Sequence, residues 1–108
     1  MEKISLRTVA GEQLAAARTA SNGRSAVPVA TSGERLLQTV IALRAGEEMT
    51  EYGSPGDATV LVLTGRVRTG SGKSAVEASN GDLLPVPEAS RDLEIVEDSV
   101  LLLSAVRR

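Results

Sequence analysis

Hydrophobic positions along this chain fall in short runs, some alternating with polar residues and some continuous, and Gly, Pro, Asn and Asp break the runs at close intervals. A period of two places alternate side chains on opposite faces of a strand. Lys3–Thr8 alternates Ile4 and Leu6 with Ser5 and Arg7 and reads as a short strand. Gly11–Ala20 (GEQLAAARTA) is rich in Ala and predicts one short helix, before a turn at Asn22-Gly23. Ser25–Thr31 reads as an edge strand, because Pro28 has no N–H for a ladder. Arg35–Arg44 (RLLQTVIALR) is a strongly apolar strand closed by Ala45-Gly46.

Glu47–Tyr52 is polar and extended and leads into a dense turn cluster at residues 53–57 (GSPGD). Ala58–Arg68 (ATVLVLTGRVR) is the clearest strand of the chain, and Thr69–Lys73 (TGSGK) is the tip of a hairpin. Ser74–Ala78 returns, Asn80-Gly81-Asp82 turns, and Leu83–Pro87, Arg91–Val96 and Ser99–Val106 follow as strands. Many short strands with Gly and Pro turns, and no strand–helix alternation, predict an all-β antiparallel barrel or jelly roll with at most one short N-terminal helix. The expected organisation is a single domain over 1–108, with N-terminal strands and the helix in 1–34 and the barrel core in 35–108.

Composition narrows the chemistry. There is one Tyr and no Trp or Phe, so the core is built from Val, Leu, Ile and Ala, and modules that stack bases on aromatics are excluded. Twelve cationic and fourteen acidic residues are scattered without a basic stripe, which argues against nucleic acid as a partner. The apolar runs are too short to span a bilayer and the N-terminus lacks an apolar signal core, so the expectation is a cytoplasmic protein with no membrane partner. Cysteine is absent, which removes disulfides, thiol nucleophiles and thiolate metal sites. Histidine is absent too, and with it go the commonest transition-metal ligand, the usual general base near neutral pH, and every Ser-His-Asp arrangement.

Two local patterns carry little. Gly72-Lys73-Ser74 resembles the end of a phosphate loop, but Val67 stands where the first glycine belongs and a strand, not a helix, follows. The adjacent carboxylates Glu47-Glu48 and Glu97-Asp98 point to opposite sides of an extended chain and read as solvated charges.

A spacing of glycines carries more. Cupins have two short motifs, G(x)5HxH(x)3–4E(x)6G and G(x)5PxG(x)2H(x)3N. Residues 46–65 (GEEMTEYGSPGDATVLVLTG) and 81–96 (GDLLPVPEASRDLEIV) place Gly46, Gly65, Gly81 and Pro87 in register with them. Over Leu36 to Val106 the chain therefore resembles the small single-domain cupins. The glycines would sit at strand-end turns that need positive φ or close backbone approach, and Pro87 where no ladder donor is required.

The resemblance implies a metal-binding barrel, and the ligand positions depart from it. Tyr52, Ser54 and Ala58 stand at the His, His and Glu positions of the first motif, and Ala89 replaces a glycine of the second. Strict spacing puts Asp92 at the last His position, whereas strand alternation, with Leu93 and Ile95 on one face, turns Arg91 inward. A phenol, a hydroxyl, a methyl and a guanidinium hold no metal, so neither metal nor cofactor is expected. The expected lining is Ala58, Val60, Val62, Leu93 and Ile95.

Two readings of such a pocket follow. In the first, Tyr52, Ser54 and Arg91 hold a small anionic molecule in a non-catalytic, metal-free barrel. The bland counterpart is that Arg91 pairs with Glu48 or Glu51 and plugs the barrel. In the second, the chain is a metal-independent isomerase or epimerase with Tyr52 as acid and a carboxylate as base. Several strands are apolar on both faces (Leu61 and Leu63 opposite Val60 and Val62; Leu36, Val40, Leu101 and Leu103), which predicts a covering segment or a partner subunit. The resemblance favours a homodimer.

Overall fold

The computed structural model describes residues 3–33, 35–49, 57–70, 73, 75–86 and 93–106. One helix, α1 (Leu6–Thr19), precedes seven strands: β1 (Arg24–Ser32), β2 (Leu36–Leu43), β3 (Glu48–Met49), β4 (Ala58–Thr69), β5 (Val76–Ser79), β6 (Leu83–Val86) and β7 (Leu93–Val106). All pairings are antiparallel, and the sheet runs β1-β2-β7-β4-β5, with β3 added to β7 and β6 to β4. The two longest strands, β4 and β7, lie side by side and form its spine; the others line their outer edges. The edge strand β1 carries Pro28, and its register slips between Pro28 and Ala30.

The N-terminal strand expected over Lys3–Thr8 does not form, because this stretch enters α1. Ser5 is the N-cap, its Oγ accepting from the Thr8 N–H at 3.2 Å. Leu6, Val9, Ala10, Leu14 and Ala17 recur at helical spacing and make one apolar stripe. Over six residues Ile4 and Leu6 mimic a period of two; the helical period shows only when the window extends to Ala17. Gly11, read as the helix start, lies inside it.

The last two expected strands are one. The charges Glu97-Asp98 read as a break, yet each is anchored: Glu97 faces Arg66 across β4 at 3.4 Å, and Asp98 is held by Arg18 and Ala45. The chain therefore continues through them as β7, with register shifts against β4 between Val62 and Val67.

Two aliphatic layers lie on the two sides of this sheet. Inside, Leu43, Val60, Val62, Val67, Ile95 and Leu101 are the heart of one cluster. Outside, Val40, Ala42, Val100 and Leu102 pack under Ala17 and the stripe of α1. The covering segment for the outer apolar face is thus α1 itself, over β1, β2 and β7. Leu61 and Leu63 lie at its margin, and Leu83 beyond it remains exposed.

Asp98 ties the C-terminal end of α1 to the sheet. One carboxylate oxygen accepts from the Ala45 N–H at 2.9 Å and the other from Arg18 Nε at 3.0 Å. The Ala45 hydrogen bond, then that of Arg18, hold the Asp98 carboxyl below its ordinary value against the opposing effect of burial, with the Arg18 and Arg44 charges adding less. A carboxyl lowered on folding stabilises the fold above its unfolded pKa, and loses that contribution as pH falls through the folded value. Both side chains are partly solvated, so the charge contributes about 1 kcal/mol at neutral pH. Asp98→Asn is expected to lower the unfolding free energy by that amount at pH 7. The difference from the unmodified chain should shrink below about pH 4, and urea midpoints at neutral and acid pH measure it.

Candidate functional site

The site begins with the inward face of the barrel. On β4, alternation turns Ala58, Val60 and Val62 inward; on β7 it does the same for Leu93 and Ile95. The four larger side chains are essentially sealed from solvent, and Ala58 is half-buried beside them. Cross-strand pairs close the layer: Val60 faces Leu103, Val62 faces Leu101, and Val67 faces Ile95. Met49 from β3, Ala78 from β5 and Leu84 from β6 complete it. All five residues expected to line the barrel therefore meet in one cluster, and that cluster is aliphatic apart from the Met49 thioether.

Three glycines shape the frame. Gly46 (φ 93°) turns the chain between β2 and β3, and its N–H donates to the Ile95 carbonyl at 2.8 Å. Gly81 (φ 89°) turns β5 into β6 and donates to the Val62 carbonyl at 2.7 Å. Each turn is thereby fastened to a strand whose side chains line the interior. Gly65 (φ 105°) differs from expectation: it lies within β4, at a bulge against β7, and not at a strand end. Its N–H donates to Asn80 Oδ1 at 2.7 Å, and Ser99 packs directly on its Cα. Ser99 is fully buried; its Oγ accepts from the Arg66 N–H at 3.1 Å and donates to the Glu97 carbonyl at 2.6 Å. Asn80, Asp98 and Ser99 are the pins that sequence reading passed over. Small polar residues beside a turn or in a strand carry no signal until the strand facing them is known.

Tyr52, Ser54, Pro87, Ala89, Arg91 and Asp92 lie outside the described residues. Their anchor points are described. The stretch that holds Tyr52 and Ser54 leaves β3 at Met49 and enters β4 near Ala58; the stretch that holds Arg91 leaves β6 at Val86 and enters β7 at Leu93. Met49 pairs with Leu93, and Ala58 pairs with Val86. The two stretches are therefore tethered to neighbouring residues at both ends.

No protein-family model matches this chain, and no curated protein matches it. Solved structures do. A conserved Streptococcus pyogenes protein of unknown function shares 24% identity at a TM-score of 0.65, over 82% of this chain and 78% of its own. A cupin superfamily protein from Desulfitobacterium hafniense DCB-2 shares 19% identity at a TM-score of 0.66, over 79% of this chain and 78% of its own. A Rhizobium leguminosarum bv. viciae 3841 protein of unknown function shares 16% identity at a TM-score of 0.69, over 100% of this chain and 98% of its own. These likenesses establish the cupin fold, an antiparallel jelly-roll barrel.

A metal centre of the kind the cupin motifs carry needs imidazole and carboxylate donors at the barrel interior. The chain has no His and no Cys. Among the described residues no three Asp or Glu side chains gather into a ligand set. The described residues do not fit such a centre.

Proposed function

We propose that this cupin-fold chain is a non-catalytic, metal-free barrel that binds a small anionic molecule through Arg91, Tyr52 and Ser54. The observation that carries the reading is the pairing of Met49 with Leu93 and of Ala58 with Val86. That pairing brings the described ends of the two stretches that bear the three residues next to each other. A guanidinium grips a carboxylate or phosphate through two parallel hydrogen bonds, and phenol and alcohol hydroxyls supply further donors. Such hydrogen bonds are electrostatically stronger where water is excluded. The absence of His from the chain favours binding over acid–base turnover at neutral pH.

Thermal unfolding against a panel of small carboxylates and sugar phosphates tests this. At about ten times its Kd a ligand adds about 1.4 kcal/mol, which in a domain of this size raises Tm by roughly 6–11 °C. At least one compound of the panel is expected to do so in the wild type and to fail with Arg91→Ala. A flat response across the panel, or an equal rise in the variant, removes the reading. So does a stoichiometric transition metal in the purified chain.

A further inference from the structure

The outer face of the sheet carries a concavity, on the opposite side of β4 from the inner cluster. Between the first half of α1 and β4 runs a groove of about 370 Å³, a volume within the range of small-molecule clefts. Leu6, Ala10 and Leu14 of the helix and Leu63 of β4 make its walls apolar. Gly11 also lines it, and a Cβ added there would meet nothing within 4 Å. The polar residues on its wall are Arg7 and Thr64.

The charge at this end of the helix is one-sided. The first turn of α1 holds no carboxylate, and Arg7, exposed at the rim, makes no ion pair among the described residues. Lys3 stands four residues before it. An apolar trough with a single cationic rim is complementary to a ligand with a hydrocarbon body and one anionic head. Arg7, Gly11 and Leu14 follow one another along a single row of the helix. About 10 Å of helix axis separates the first from the last. We propose that this groove binds a medium-chain carboxylate, its head on the Arg7 guanidinium and its alkyl chain laid along Ala10, Gly11 and Leu14 against Leu63. Paired N–H donors favour a carboxylate head at Arg7, and the apolar walls favour an unbranched chain over a polar body.

Calorimetric titration of the full chain with decanoate, kept below its micelle concentration, tests the assignment. The wild type is expected to show one saturable site. Arg7→Gln should weaken it about tenfold or more, and decanol, which has the chain without the charge, should bind about tenfold more weakly than decanoate. Gly11→Leu should abolish binding by filling the groove while holding or raising Tm, since leucine is the better helix former. Loss of the decanoate isotherm in Arg91→Ala would assign the binding to the barrel and overturn the assignment to this groove. The assignment is overturned by the absence of a saturable site in the wild type or by decanoate affinity retained in Gly11→Leu. Equal binding of decanol and decanoate, or equal affinity in Arg7→Gln and wild type, overturns it as well.

Discussion

Gly65→Ala is expected to lower the free energy of unfolding by about 4 kcal/mol, a large share of the 5–15 kcal/mol typical of a domain. Two costs combine. The backbone at Gly65 has φ 105°, a region that L residues avoid at about 1–3 kcal/mol. The added methyl would also stand 2.6 Å from the Asp98 carbonyl oxygen and 2.7 Å from Ser99 Cα, and would overlap Ser99 Oγ. Two of those three atoms are backbone of β7. The third is held by Arg66 and Glu97 and cannot rotate away without losing both hydrogen bonds. Overpacking of this kind costs about 1–3 kcal/mol. With a urea m-value of about 1–3 kcal/mol/M, the midpoint should fall by about 2 M. Gly46→Ala is the control. It has a similar φ, but its new methyl meets open space, so only the backbone cost of about 1–3 kcal/mol applies. A Gly65→Ala loss no greater than that of Gly46→Ala would mean that the bulge relaxes and that the Gly65–Ser99 contact is not a constraint.

Leu101→Ala should cost about 3–4 kcal/mol, and Leu102→Ala about 2. The two neighbours sit on opposite sides of β7, the central strand. Leu101 is fully buried between Ile41 and Val62 in the barrel interior, where strands fix every wall. A cavity there has nothing to collapse into it. Leu102 faces α1 and pairs with Val40 and Leu61, and a single helix can settle by a fraction of an ångström to close part of the space. Urea titration of both variants gives the order directly. If Leu102→Ala proves the costlier, the outer layer, and not the barrel interior, is the dominant core.

Much of this architecture was legible in the chain, and the rest failed for identifiable reasons. The continuous apolar run of Arg35–Arg44 and the alternation through Ala58–Arg68 announce β2 and β4, because both faces of those strands are packed. Val60, Val62, Leu93 and Ile95, expected on one face by the same alternation, are buried together in one cluster. Leu6 failed because two alternating residues fit both periods, and only tertiary cover by the sheet decides between them. Glu97 and Asp98 failed because a charge inside a strand looks like a loop until its partner, Arg66 or Arg18, is known to lie opposite. Gly65 was recognised as special, but a bulge and a turn demand the same residue and differ only in what packs against them. Tyr52, Ser54 and Arg91 lie outside the described segments.

The order of strands also bears on how the chain is made. The ribosome delivers β2 long before β7, yet β2 and β4 are never hydrogen-bonded to each other; each waits for β7 to come between them. About fifty residues separate the end of β2 from the start of β7, roughly 3–10 s of synthesis. Until β7 is made, the side of β2 that carries Ile41 and Leu43 lacks the β7 residues that cover it in the finished sheet. Completion of this sheet is in that sense a late and abrupt event, triggered by the arrival of its middle.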